Sequence, residues 1–122
     1  MKTINGDLIM ESNMTFEEDL KVEGNISGKD GDRYNLVVKG DIDARNINVM
    51  DINAVDINAG NIDAVDINYY AVCFAYNNIK CKSIKGRREN AKHFVLDGKI
   101  EIIDETAKEI MHEGKKYRLV KE

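Results

Sequence analysis

Residues 40–69 repeat a five-residue unit six times without interruption. In frame the units are Gly40-Asp-Ile-Asp-Ala44, Arg45-Asn-Ile-Asn-Val49, Met50-Asp-Ile-Asn-Ala54, Val55-Asp-Ile-Asn-Ala59, Gly60-Asn-Ile-Asp-Ala64 and Val65-Asp-Ile-Asn-Tyr69. The central residue is always Ile (Ile42, Ile47, Ile52, Ile57, Ile62 and Ile67), and Asp or Asn flanks it on both sides. A strict period of five matches neither the 3.6-residue period of a helix nor the two-residue period of a flat strand. Self-similarity at a fixed period points to repeats that stack on their neighbours.

Each unit can supply a short extended piece and a corner, so that its Ile points inward. The flanking Asp and Asn then face outward, where their side chains satisfy corner backbone groups. Ala, Val or Gly at the unit ends keeps the corners compact. Four such sides, about 20 residues, are expected to close one coil, with successive coils hydrogen-bonded in parallel about 4.8 Å apart. Five coils would make a rod of roughly 25 Å. Burial of six Ile, worth about 1.5–3 kcal/mol each, offsets part of the ordering entropy.

These residues closely resemble the pentapeptide-repeat family. Its unit is a small residue or Val, then Asp or Asn, then Leu or Phe, then a small polar residue, then Gly or another. Val55-Asp-Ile-Asn-Ala59 and Val65-Asp-Ile-Asn-Tyr69 match four positions in kind, with Ile replacing the usual Leu or Phe. A looser similarity is to bactofilin-type β-helices. The resemblance implies an all-β chain folded as a right-handed parallel β-helix. It also implies binding or structural roles, since some pentapeptide-repeat proteins act as DNA mimics.

Outside the strict tract the pattern loosens. Tyr70-Ala-Val-Cys-Phe74 continues the frame with Val72 at its centre, a slip follows at Ala75-Tyr76, and Ile79 and Ile84 centre two later units. Upstream, Val37 lies five residues before Ile42, and Gly24-Asn-Ile-Ser-Gly28 is an isolated unit. Leu8, Phe16 and Val22 mark short strands, and Gly28–Asp32 marks a turn. At 122 residues the chain suits one domain. The expected division is irregular coils over 1–39, regular coils over 40–86 and a terminal cap over 87–122. Open coil ends need covering. Within the cap Lys99–Ile103 reads as a strand, followed by a hairpin over Ile110–Val120 or a short helix over Asp104–Met111.

Charge is unevenly divided. Residues 40–69 hold Asp41, Asp43, Asp51, Asp56, Asp63 and Asp66 against Arg45 alone. The plain reading is that Asp suits a solvated corner; the functional one is an anionic wall that a phosphate-gripping partner would accept. Residues 79–93 hold Lys80, Lys82, Lys85, Arg87, Arg88 and Lys92 against Glu89. This segment suits phosphates or a partner protein, with Tyr69, Tyr70, Phe74 and Tyr76 beside it to stack on bases or to fill the core. Pairing of acidic and basic surfaces between two copies is a third reading, giving a homodimer.

No nucleotide-binding loop or nucleophile–base pairing stands out, so no enzyme activity is expected. His93 and His112 do not join Cys73 and Cys81 in a zinc pattern, and Asp30-Gly-Asp32 lacks the ligands of a calcium loop, so neither metal nor cofactor is expected. The two cysteines, outside any C-x-x-C motif, read as reduced and partly buried. Residues 1–10 lack a signal-like apolar run and no stretch is long enough to span a bilayer, which suggests a cytoplasmic chain. The expected function is a non-enzymatic binding protein of phage or mobile-element style. Its acidic face would occupy the nucleic-acid site of a partner protein or nuclease, as an anti-CRISPR-like inhibitor does. The alternatives are direct nucleic-acid binding through residues 80–92 and a self-assembling structural β-helix.

Overall fold

An inward Ile at every fifth residue leaves three outward or corner positions and one further inward position per unit, and the chain uses both inward positions. The computed structural model describes residues 1–103, which wind into an all-β parallel solenoid of about six turns. Three sides, not the expected four, close each turn. In the strict tract three five-residue units therefore make a turn of 15 residues, as the registers Ile42↔Ile57, Ile47↔Ile62 and Ile52↔Ile67 record.

Side I is built by β1 (Lys2–Ile4), β4 (Leu20–Val22), β7 (Ile42–Asp43), the second half of β9 (Asp51–Ala59), the second half of β11 (Asp66–Ala75) and β14 (Lys92–Val95). Side II is built by β2 (Leu8–Met10), β5 (Asn25–Gly28), β8 (Asn46–Asn48), β10 (Asn61–Asp63), β12 (Ile79–Cys81) and β15 (Ile100–Ile102). Side III is built by β3 (Met14–Phe16), β6 (Leu36–Val38), the first halves of β9 and β11, and β13 (Ser83–Gly86). The long strands β9 and β11 run from side III into side I and pair with each other on both sides of the corner.

Inward residues stack in columns. On side II, Leu8, Ile26, Ile47, Ile62, Ile79 and Ile100 align. On side III the column is Met14, Leu36, Ile52, Ile67 and Ile84. All six repeat Ile are at most 1% exposed. The fifth residue of each unit is a second core position and not a corner: Ala44, Val49, Ala54, Ala59, Ala64 and Tyr69 are all buried. Three Ile already fill much of a three-sided cross-section, so the second inward position favours small side chains at close packing.

The looser regions belong to the same coil. Leu8, Met14, Leu20 and Ile26 recur every six residues, giving a first turn of 18 residues from Lys2 to Leu20. The extra residue in each unit lies at a corner. The second turn is longer because Lys29–Gly31 is looped out as a 3-10 turn, with Asp30 at φ 57 and Gly31 at φ 84. Leu36 and Val38, not Val37, point inward in that turn. Downstream, Cys73 and not Val72 takes the place above Ile57, because the ladder shifts by one residue between Tyr69 and Val72. The expected two-residue slip is thus divided, one residue before Cys73 and one between Cys73 and Ile79. Strands β14 and β15 pair with β11 and β12, so the coil runs on past residue 86 to Ile102. The expected hairpin over 110–120 and the alternative helix over 104–111 lie outside the described residues.

Candidate functional site: the corner rows and side III

The residue before each inward position begins a side, and in this chain it is usually Asp or Asn. Its side-chain oxygen accepts a hydrogen bond from the turn above, satisfying an N–H at the corner where the strand ladder is interrupted. At the start of side I, Asp19 Oδ1 accepts from Asp41 N (2.8 Å), Asp41 Oδ1 from Asp56 N (3.2 Å) and Asp56 Oδ1 from Val72 N (3.0 Å). At the start of side II the ladder spans all six turns. Asp7 Oδ1 accepts from Asn25 N, Asn46 Nδ2 donates to Asn25 Oδ1, Asn61 Nδ2 to Asn46 Oδ1, Asn78 N to Asn61 Oδ1, and Lys99 N to Asn78 Oδ1. At the start of side III, Asn35 N donates to Asn13 Oδ1 and Ser83 Oγ to Asp66 Oδ1.

This arrangement redistributes the acidic residues. They do not form one wall. Asp41 and Asp56 stand in the corner row between sides III and I, extended downward by Asp19. Asp51 and Asp66 stand in register in the corner row between sides II and III. Asp43 faces outward on side I, and Asp63 faces outward on side II, where Arg33 Nη2 meets its carboxylate at 3.1 Å. Side III is therefore bordered by two carboxylate rows. Asp19 was not apparent from the repeat because it lies outside the strict tract; its signal was its place immediately before Leu20, as Asp41 precedes Ile42.

Crowding of the first row has an electrostatic effect. Burial, with the neighbouring Asp56 and Asp19 carboxylates, raises the Asp41 pKa above the ordinary aspartate value, against the smaller opposing effect of the Asp56 N–H.

The basic residues also disperse. Lys80 faces outward on side II, in register with Asp63, and Lys85 faces outward on side III, in register with Asn68. Lys82 is at the corner between those sides, while Arg88 and Lys92 lie near the corner of sides III and I. Arg87 folds back across side III, its guanidinium donating to Asn53 Oδ1 at 2.9 Å and Ala54 O at 3.4 Å. Together these cations gather on and beside side III of the fifth turn, with Lys80 alone on side II. Of the aromatics, Tyr69 is core, whereas Tyr70 and Tyr76 are exposed and Phe74 faces outward.

Cys73 and Cys81 are free and buried, and burial pushes their thiols up to about 12 and about 11. Neither is a poised thiolate. Among the described residues no three His, Cys, Asp or Glu side chains gather to hold a metal ion, and no helix is long and apolar enough to cross a membrane. No family model matches the chain, and no curated protein or solved structure shows significant similarity to it.

Proposed function

We propose that the chain is a non-enzymatic binding protein whose side III occupies the nucleic-acid-binding surface of a protein partner. The supporting observation is the pair of carboxylate rows, Asp19–Asp41–Asp56 and Asp51–Asp66, along the two borders of one flat side. Within a row the charges repeat once per turn, about 4.8 Å. Five residues of strand separate the rows, about 16 Å. Two parallel lines of anionic charge at that separation are similar in scale to those flanking the roughly 12 Å major groove of duplex DNA. The guanidinium of Arg87 lies on Asn53 between them, so the face already accommodates a cation of the kind a phosphate-binding partner would bring.

Such a protein suits a phage or mobile-element inhibitor acting on a host defence nuclease in the cytoplasm. The five-residue unit supports kinship with pentapeptide-repeat proteins, and right-handed winding is the sense that parallel crossovers take. Direct nucleic-acid binding through residues 80–92 is less well supported, because the six cations belong to the fifth turn and the start of the sixth and do not line a groove along the coil.

The test is capture of host proteins from nuclease-treated lysate, followed by competition with duplex DNA. Replacing Asp51, Asp56 and Asp66 with Asn preserves an oxygen acceptor at each corner while removing the charge. The captured partner should be lost from this variant and displaced from the native chain by duplex DNA. Undiminished capture by the variant, or indifference to DNA, would sink the reading.

A further inference from the structure

Side I changes character along the coil. Its outward column reads Thr3, Lys21, Asp43 and Asn58 through the first four turns, then Phe74 and Phe94 in the last two described turns. The Phe74 ring contacts those of Tyr76 and Phe94, with centroids 5.1 and 5.0 Å apart. Tyr76, Phe94 and the neighbouring Leu96 remain 54%, 43% and 69% exposed. Four bulky apolar groups thus stand as a ridge on an otherwise polar side, the kind of contiguous patch that marks an interaction surface.

Immediately beside the ridge the same side is hollow. Gly60 carries no side chain at the corner toward side II, leaving a groove of about 430 Å³ between Glu23, Asp43, Arg45 and Tyr76. A ridge and a groove displaced along one flat side are complementary to a second copy turned end for end. Rotation about an axis along the strands, between the fourth and fifth turns, sets turn five against turn four and turn six against turn three. Tyr76 then faces the partner's Gly60, Phe74 faces the partner's Asn58, and Leu96 faces the aliphatic stem of the partner's Arg45. Lys92, at the head of β14, faces the partner's Asp41 and lies diagonal to the partner's Asp43, which sits opposite Phe94. Each contact is made twice, as a two-fold interface requires. The other face-to-face arrangement, with the coils parallel, would place Asp43 against the partner's Asp43.

We infer that side I is a homodimer interface formed by two antiparallel solenoids, with the Phe74–Tyr76–Phe94–Leu96 ridge of each copy seated in the groove of the other. This surface meets the carboxylate-bordered face proposed to contact a partner protein only at the shared corner residue Asp41, and the two tests alter different residues, so either can fail without the other. Four turns of one side bury an area at the small end of specific interfaces, and a dissociation constant on the order of micromolar is expected.

Sedimentation equilibrium of the full chain across concentrations on either side of the micromolar range tests it. The apparent mass should rise from 13.8 kDa toward twice that value. Lys92→Glu and Asp43→Lys should each weaken association roughly tenfold, and the double variant should recover most of the loss, since exchanging the two charges again sets opposite signs against each other. Phe94→Ser should abolish association while leaving the β-sheet circular dichroism unchanged. A single species of 13.8 kDa at every concentration would overturn the dimer. So would a double variant no tighter than either single one; the ridge would then belong to a different partner.

Discussion

The Tyr69 hydroxyl lies 2.7 Å from Nδ1 of His93, 24 residues further along the chain, and the two rings meet edge to face at 5.9 Å. Tyr69 is the one large residue at the second inward position of the strict tract, and it is 1% exposed. His93 takes the inward register above Cys73 on the last described turn of side I. The hydrogen bond therefore ties the end of the regular repeat to the last described strand of that side.

His93 is exposed at its outer edge, yet partial desolvation of its ring holds its pKa below the ordinary value, so the unfolded chain takes up a proton more readily than the folded one. The associated stability is fully present above the unfolded-state pKa of about 6.5 and is lost as pH falls below it. Thermal melts should therefore show a steeper loss for the native chain than for His93→Gln between about pH 7.5 and about pH 5.5. Equal slopes would remove His93 from the pH response. Tyr69→Phe should cost about 1 kcal/mol in urea titration through the lost hydrogen bond.

Asp41 acts with the opposite sign. Its pKa is raised in the fold, so its charged form is disfavoured there, and stability improves as pH falls through its folded-state value. Asp41→Asn keeps an oxygen to accept from Asp56 N and should melt at a higher temperature than the native chain at pH 7. The gap should close as the pH falls through the raised folded-state value toward the ordinary aspartate value of about 4. A variant less stable at pH 7 would show that the charge itself is useful to the corner.

Gly86 stacks directly on Tyr69 in the side III register. A Cβ there would lie 2.9 Å from the Tyr69 ring and 2.2 Å from Ala91 Cβ. Gly86→Ala should destabilise by about 1–3 kcal/mol through overpacking. Combining it with Tyr69→Val should recover part of that loss, and chemical denaturation of the four-member cycle measures the coupling.

Ile57 and Ile9 separate column from surface. Ile57 is 1% exposed and stacks between Ile42 and Cys73, while Ile9 is 50% exposed on side II. Ile57→Ala should cost about 2–5 kcal/mol and Ile9→Ala under about 0.5 kcal/mol. Similar costs at both sites would contradict the inward assignment.

The Ile columns were legible because burial imposes one residue type at one spacing. The number of sides was not, since a period of five constrains what each side holds and leaves open how many sides close the turn. Val37 and Val72 were misplaced for a related reason. Both are apolar and one residue from an inward position, and only the interstrand register separates them from Leu36 and Cys73. The six-residue spacing of Leu8, Met14, Leu20 and Ile26 was present in the sequence but hidden by changing residue types. For the surface, composition showed that Asp was abundant, but the side each Asp joins depends on the three-sided turn. A wall expected from sequence thus became two corner rows.

Three units per turn give the chain a phase as well as a length. Removing a single five-residue unit would leave every local contact pattern satisfied yet rotate everything downstream by a third of a revolution, carrying the aromatic ridge off its side and breaking both carboxylate rows. Removing three units would shorten the rod by one storey and restore every alignment. Length variants that keep their surface should therefore differ by whole turns, much as a message keeps its meaning only when whole codons are lost.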